Sequence, residues 1–186
     1  MPMLTIGHST LPIEIFLAIL RENRVRVLVD IRTVPQSRHN PQFRRENFAS
    51  SLAKAHVRYC WEPALGGLRH ARKDSINTGW RNASFRGYAD YMQTPDFATA
   101  LDELLKAAPH AHTAVMCAEA VPWRCHRSLV ADALTVRGIA VEDILYSAQG
   151  KSHRDPHKLT SFARVEGERL WYPAEDDLFA GTQAGV

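Results

Sequence analysis

The chain has 186 residues, of which 45% are hydrophobic and 23% charged, so its composition excludes a disordered chain and favours one domain with a buried core. Its formal net charge is only +3, and no apolar run approaches the roughly 20 residues that a membrane-spanning helix requires. The three cysteines are an odd number without disulfide-framework spacing, and no basic segment followed by an apolar one opens the sequence. We therefore expect a cytoplasmic protein with reduced thiols and no membrane association.

Short apolar runs alternate along the chain with segments of helical periodicity. The run over 25–31 is nearly all apolar until Asp30, which is typical of a strand covered on both faces of a parallel sheet. Strands are predicted over 4–6, 25–31, 57–61, 112–117 and 139–145, and helices over 13–20, 43–55, 88–93, 95–107 and 122–136.

This alternation implies right-handed βαβ units. It predicts an α/β fold with a mostly parallel sheet of about five strands and helices on both faces. The layout is three-layer and rhodanese-like or Rossmann-like in general terms. We expect this domain to occupy residues 1–150, and residues 151–186 to form a polar tail that packs on the domain or frays from it.

Polar clusters follow three of the predicted strands, over 7–9, 30–32 and 117–119. In open α/β sheets, ligands bind outside the carboxyl ends of the strands. Because parallel strands send these ends to one edge, we expect the three clusters, with His8 and Ser9 in the first, to form one site.

Cys117 ends a predicted strand and is followed by a predicted helix carrying Arg124 and Arg127. Positive potential favours the thiolate, so Cys117 is a candidate nucleophile. A small buried thiol that fills space in the core is the alternative interpretation. Together with Cys125 and His126 the thiol could also hold a metal, although no C-x-x-C or H-x-x-x-H pair supports this.

Asp30 and Arg32 flank Ile31, so strand geometry turns both side chains to the same face. Such a pair is either an ion pair that orients a loop or a general base beside an anion-holding arginine. The sequence leaves both open. Glu119, two residues after Cys117, is a further candidate acid or base.

Basic residues concentrate over 69–86, a segment that contains five of them and a single acid, Asp74. A second basic group consists of Arg32, Arg38, Arg44 and Arg45. Aromatic residues interleave with the basic segment, and stacking surfaces beside arginines suit nucleobases, although core packing explains aromatic residues equally well. The long segment 63–86 also holds three glycines, so we predict a mobile lid over an anionic substrate.

Several motifs together resemble the bacterial domain-of-unknown-function family 488 (DUF 488), from about Thr5 to Ile144. The resemblance implies a cytoplasmic α/β domain with a shared polar site, and it implies no particular reaction. One position, Ile31, differs from the valine that is common there. The motifs lie, in chain order, over 5–9, 28–32, 35–38, 65–67, 85–92, 116–119 and 122–127.

Three functional hypotheses remain open. In the first, the protein is an enzyme that acts on a phosphate-bearing substrate, either a nucleotide or nucleic acid, with Cys117 as nucleophile and Glu119 or Asp30 as acid or base. The second is a non-catalytic nucleic-acid-binding module that uses segment 69–86, and the third is a metal-binding protein that uses Cys117, Cys125 and His126. No cofactor is expected, and the sequence leaves the oligomeric state open. The candidate substrate-binding residues are His8, Ser9, Arg32, Arg38, Arg69, Trp80, Tyr88, Trp123 and Arg127.

Overall fold

A computed structural model describes residues 2–107 and 112–174 of the chain. Short 3₁₀ turns lie at Pro41–Phe43, Pro63–Leu65 and Pro122–Arg124. The helices are α1 (Ile13–Glu22), α2 (Arg45–Lys54), α3 (Ala83–Tyr91), α4 (Pro95–Ala107) and α5 (Arg127–Val136). The strands are β1 (Met3–Gly7), β2 (Val27–Asp30), β3 (Arg58–Trp61), β4 (Thr113–Cys117), β5 (Val141–Tyr146), β6 (Ser152–Pro156), β7 (Arg164–Glu166) and β8 (Arg169–Trp171).

The central sheet has the strand order β3-β2-β4-β1-β5-β6. Its first five strands run parallel, and β6 is antiparallel to β5 at the edge. The predicted mostly parallel α/β sheet is therefore confirmed. It has six strands instead of about five, because the polar segment after residue 150 supplies β6. That segment lacks the apolar run by which the other strands were identified, since an edge strand has little surface to bury.

Two apolar cores cover the two faces of the sheet, as the three-layer prediction requires. Val27 and Val29 of β2 pack with side chains of α3, α4 and α5, whereas Leu28 between them packs with α1 and α2. Strand side chains alternate between the two faces, so a strand covered by helices on both sides has to be apolar at every position. None of the helices in the described ranges has the length and apolar character needed to span a bilayer.

The chain beyond β6 is held to the domain by a buried polar cluster. Imidazole nitrogens of His157 lie 2.9 Å from Asp132 Oδ1 and 3.1 Å from Asp143 Oδ2. Asp132 is fully buried and also accepts hydrogen bonds from Thr160 Oγ1 and Tyr172 Oη. Burial alone lowers the pKa of His157, but the hydrogen bonds to the two carboxylates outweigh it and raise the pKa to about 9. Residues 175–186, the end of the predicted tail, lie outside the described residues.

The segment predicted as a mobile lid is fastened to α3. Asn82 caps this helix by accepting a hydrogen bond from the Ser84 N–H over 2.8 Å, so the loop ends earlier than the predicted residue 86. Asp90 accepts hydrogen bonds from the Arg72 N–H at 2.8 Å, from Ser75 Oγ at 2.5 Å and from Asn77 Nδ2 at 2.8 Å. These contacts hold residues 72–77 against α3, and the mobility of the lid stays a prediction.

Candidate functional site

The three polar clusters meet at the carboxyl edge of the sheet. In the parallel register Gly7 lies opposite Cys117, and Asp30 lies opposite Met116. Two cavities of about 380 Å³ each open at this edge and share four lining residues, Arg32, Val34, Ala118 and Glu119. One, which we call the thiol cavity, is also lined by Cys117, Cys125, His126, Arg124, Phe85 and Leu68. The other, which we call the serine cavity, is also lined by His8, Ser9, Thr10, Ser37 and Asn40.

A buried sulfur centre forms one wall of the thiol cavity. Cys117 Sγ lies 2.8 Å from Cys125 Sγ, and Nη1 of Arg127 donates to Cys117 Sγ over 3.0 Å. The same guanidinium also donates to the backbone carbonyls of Glu119, at 2.9 Å, and Ala120, at 3.2 Å. Arg127 thus joins the thiol to the loop that follows it.

Arg127 is only 1% exposed, yet it pairs with no carboxylate among the described residues. A buried guanidinium without a counterion is strongly destabilising, because the desolvation of its charge is not compensated. The one contacting group able to carry a negative charge is the thiol of Cys117. The contacts therefore favour a Cys117 thiolate.

The two thiols differ in their acidity. Burial raises the pKa of Cys117, but the hydrogen bond from Cys125 and the charge of Arg127 outweigh it and lower the pKa to about 7. The pKa of Cys125 is raised well above its ordinary value by its hydrogen bond to Cys117 and by burial. Near neutral pH Cys125 is therefore the thiol that donates its proton towards a Cys117 thiolate.

The source of this activation differs from the sequence prediction. A helix over 122–136 was predicted to follow the thiol and to carry both Arg124 and Arg127, but α5 begins only at Arg127. The intervening residues form a 3₁₀ turn and an extended Cys125. The positive charge reaches the sulfur through the Arg127 side chain, and Arg124 lies exposed at the cavity wall.

Gly7 allows this arrangement. A Cβ atom at position 7 would lie 1.7 Å from the carbonyl oxygen of Glu119 and 2.7 Å from Nη1 of Arg127. Any larger residue would push the loop after Cys117 away from the end of β1. The thiol centre therefore needs a glycine on the neighbouring strand.

A second buried network lies between the two cavities. Arg32 donates to both carboxylate oxygens of the fully buried Asp30, from Nε at 2.8 Å and Nη2 at 2.5 Å, and Tyr59 Oη donates to Oδ2 at 2.7 Å. Nη1 of Arg32 donates to His8 Nε2 at 3.1 Å and to the Phe43 carbonyl at 2.9 Å. These contacts match the ion-pair interpretation of Asp30 and Arg32, because the carboxylate and the guanidinium group both have their hydrogen-bond partners within the protein.

The same network holds His8 neutral. Burial and the neighbouring charge of Arg32 lower the pKa of His8 to about 4. Since Nε2 accepts from Arg32, the ring proton sits on Nδ1, which donates to the Ser9 carbonyl at 2.7 Å. His8 therefore orients the residues around the serine cavity and carries no charge near neutral pH.

The sequence profile of the family described as domain of unknown function DUF488 matches residues 12–134, about two thirds of the chain. The chain belongs to the DUF488 family. No curated protein and no solved structure matches it significantly. The match spans Arg32, Cys117, Cys125 and Arg127, so the resemblance inferred from the motifs is confirmed. The family description names no reaction, and a function for this DUF488 protein has to be argued from its site.

The structure brings five of the predicted site residues to the cavities: His8, Ser9, Arg32, Cys117 and Glu119. Arg127 stands directly behind Cys117. Asp30, predicted as an acid or base, is instead fully buried beneath Arg32 and lines neither cavity.

Three other predicted substrate-binding residues are packed within the domain instead. Arg69 donates to the carbonyls of Ala64 and Gly66 and stacks 3.5 Å from the ring of Tyr91. Tyr88 is fully buried and donates to the Leu65 carbonyl over 2.8 Å. Trp80 stacks on Phe85 with ring centroids 4.7 Å apart, and it also lines a cavity of about 630 Å³ together with Trp123. For Tyr88 core packing, the alternative interpretation of the aromatic residues, explains the contacts.

The last two predicted residues lie elsewhere on the surface. Arg38 is exposed and lines neither cavity. Trp123 is 67% exposed and borders a separate cavity of about 630 Å³ beside Asp143 and His157. In the basic segment, Arg72 is paired with Asp74 at 2.7 Å, which leaves fewer free cations there than the sequence indicated.

Sequence reasoning grouped Cys117 with Cys125 only as possible metal ligands and missed their direct contact. It also missed the apolar rim of the thiol cavity. Val34 and Leu68 are 62% and 75% exposed and both line this cavity. Large apolar side chains within polar, turn-rich segments were the available signal. Among the described residues no group of three or more His, Cys, Asp and Glu side chains is arranged to hold a metal ion, so nothing there supports the metal hypothesis.

Proposed function

We propose that this DUF488 protein is a cytoplasmic enzyme in which the Cys117 thiolate attacks a phosphate-bearing substrate, a nucleotide or a nucleic-acid end. The observation that carries the proposal is the buried contact between Arg127 and Cys117, 3.0 Å long, at the wall of a cavity. A thiolate is the nucleophilic form of cysteine, and the lowering of the Cys117 pKa to about 7 favours this form near neutral pH.

The cavity also offers groups for an anion. Arg124 is exposed at its wall and forms no ion pair with a described residue. Within the described ranges, no group accepts a hydrogen bond from the backbone N–H of Glu119, a residue that lines the cavity. A guanidinium and free backbone N–H groups are the donors by which proteins hold phosphate oxygens.

The rim of the cavity supports a substrate with an apolar or flat group beside its phosphate. Val34, Leu68 and Phe85 line the opening, and exposed apolar side chains around a cleft are typical of ligand sites. A nucleobase meets this requirement, and inorganic phosphate does not. We therefore expect nucleotides to bind more tightly than inorganic phosphate.

Glu119 is the acid or base of the proposed reaction. It is exposed and lines both cavities, so its carboxyl group can reach a substrate held beside Cys117. Attack forms a bond between Sγ and phosphorus and breaks the P–O bond to the leaving group, whose oxygen takes up a proton from Glu119. Water then attacks phosphorus and gives a proton to Glu119, the S–P bond breaks, and the Cys117 thiolate is restored as phosphate leaves.

The test combines binding with detection of a covalent intermediate. Nucleoside monophosphates and diphosphates, p-nitrophenyl phosphate and inorganic phosphate are titrated calorimetrically, and adducts are sought by intact-mass spectrometry after acid quenching. We expect Cys117→Ser to abolish adduct and turnover while binding persists, and Cys60→Ser to behave as wild type. Arg124→Ala should weaken binding about tenfold or more, since a charge-assisted hydrogen bond contributes about 1.5–3 kcal/mol. Wild-type protein that binds none of these compounds, or equal turnover with and without Cys117, would overturn the proposal.

A further inference from the structure

Cys117 and Cys125 are positioned to form a disulfide. Their sulfur atoms lie 2.8 Å apart, both side chains line the thiol cavity, and both thiols are free. A disulfide bond is about 2.05 Å long, so the two sulfur atoms have to approach by only about 0.8 Å. The third thiol, Cys60 on β3, does not line this cavity.

The surroundings of the two sulfur atoms assign them different roles. Nη1 of Arg127 donates to Sγ of Cys117, whereas Cys125 Sγ lies 2.8 Å from Cys117 Sγ and accepts no hydrogen bond from the guanidinium group. Cys117 is the thiol with the lowered pKa and Cys125 the thiol with the raised one. A reactive thiolate beside a protonated neighbour is the arrangement in which a sulfenic acid, once formed, is converted to a disulfide.

We propose that Cys117 and Cys125 form a reversible intramolecular disulfide when a small hydroperoxide enters the thiol cavity. In the first step the Cys117 thiolate attacks one peroxide oxygen, so that an S–O bond forms and the O–O bond breaks. The sulfur loses two electrons, and the departing oxygen takes up a proton to give water or an alcohol. In the second step Cys125 attacks the Cys117 sulfur, the S–S bond forms, and the hydroxyl leaves as water with the Cys125 proton. A dithiol reductant reverses the change by two thiol–disulfide exchanges.

Arg127 makes the disulfide easy to reduce. Oxidation removes the negative charge beside the guanidinium, which is 1% exposed and forms no other ion pair within the described residues. The oxidised state thus leaves a buried charge uncompensated, whereas reduction restores its counterion. Stabilisation of the thiolate shifts the equilibrium towards the reduced protein, as it does in strongly oxidising disulfides. The disulfide would also block Cys117 as a nucleophile, so oxidation would switch the proposed enzyme off reversibly.

The inference goes beyond the proposed function, because disulfide formation needs no substrate. The experiment treats the full chain with equimolar hydrogen peroxide and then removes the excess with catalase. Free thiols are blocked under denaturing conditions, followed by intact-mass measurement and peptide mapping. We expect the oxidised wild type to carry one blocking group, on Cys60, and the oxidised Cys60→Ser to carry none, each with a protein mass lower by two hydrogen atoms. The Cys117 and Cys125 peptides should be joined, and dithiothreitol should restore both thiols. Cys125→Ser should instead accumulate dimedone-reactive sulfenic acid on Cys117. Cys117→Ser should form no disulfide.

Two outcomes would overturn the inference. One is a wild-type protein in which Cys117 proceeds to sulfinic acid without a joined peptide, and the other is a disulfide that involves Cys60. The wild-type and Cys60→Ser measurements decide this even where a variant of the pair fails to fold. A disulfide without turnover of any phosphate compound would refute only the proposed function. Turnover that depends on Cys117, without a disulfide, would refute only this inference.

Discussion

Nη1 of Arg127 lies 3.0 Å from Sγ of Cys117, and no described carboxylate competes for this guanidinium. The two residues come from different elements, Cys117 from the end of β4 and Arg127 from the first turn of α5. Their contact helps to lower the pKa of the thiol, after the hydrogen bond from Cys125, and the Arg127 guanidinium also holds the following loop through the Glu119 carbonyl. Both proposals made for this protein depend on that lowered pKa.

Removing the arginine should raise the pKa of Cys117. In a Cys60→Ser background we expect Arg127→Gln to move the midpoint of iodoacetamide alkylation from about 7 towards about 8.5 or higher. The rate at pH 7 should fall about tenfold, because the thiolate fraction falls by that order. Arg124→Gln removes the same charge without a contact to the sulfur and should change the rate little. Equal slowing by the two variants would show that general positive potential, and not the contact, activates the thiol.

Cys117 should be alkylated faster than Cys60 in the wild-type protein near neutral pH. The expected reason is its thiolate character at the wall of an open cavity. Iodoacetamide labelling for short times between pH 5 and pH 9, with quantification of each cysteine peptide, measures both rates together. A Cys117 peptide labelled no faster than the Cys60 peptide across this range would remove the nucleophile from the proposal.

The stability of the protein should fall as the pH rises through about 9, because of His157. Burial lowers its pKa, but the hydrogen bonds to Asp132 and Asp143 raise it from the ordinary 6.5 to about 9. The folded state therefore binds this proton more tightly than the unfolded state. The resulting stabilisation is complete below about pH 6.5 and is lost above about pH 9, with an upper limit of about 3 kcal/mol.

Urea unfolding between pH 6 and pH 10 measures this effect. We expect His157→Asn to be less stable than wild type at pH 6.5 and to lose the decline between pH 7 and pH 10. His153→Asn, which changes a histidine on β6 that is 63% exposed, is the matched control and should keep the wild-type profile. A wild-type profile in His157→Asn would contradict the predicted role of the buried imidazole.

Asp90 should be the residue that keeps segment 72–77 ordered. Asp90→Ala removes the acceptor of three hydrogen bonds, from the Arg72 N–H, Ser75 Oγ and Asn77 Nδ2. We expect a loss of about 3 kcal/mol or more in the free energy of unfolding and faster hydrogen exchange over 72–77. Asp74→Ala breaks only an exposed pair with Arg72 and should change neither. Rapid exchange of this segment already in the wild-type protein would instead support the mobile lid predicted from the sequence.

The sequence by itself was sufficient for the mostly parallel α/β architecture and for the sheet edge at which the polar clusters meet. Apolar periodicity reports which faces of a segment are buried, and it identified the five parallel strands correctly to within about two residues at each end. The carboxyl edge of the sheet was predictable as the meeting point of the polar clusters, because parallel strands direct all their carboxyl ends to one side. His8, Arg32 and Cys117 meet there for that reason.

Only the tertiary structure decided what each side chain contacts. Arg69 and Arg127 are both arginines in polar segments of the sequence, but one stacks on Tyr91 and the other contacts a thiol. Cys125 comes eight residues after Cys117, a spacing that predicts no pairing, and the sulfur atoms meet because the chain turns back from β4 into α5. Periodicity records burial one residue at a time, whereas a contact depends on how two elements pack. The charge of Cys117 follows from such a contact, and so the chemistry of the site became visible only in the folded chain.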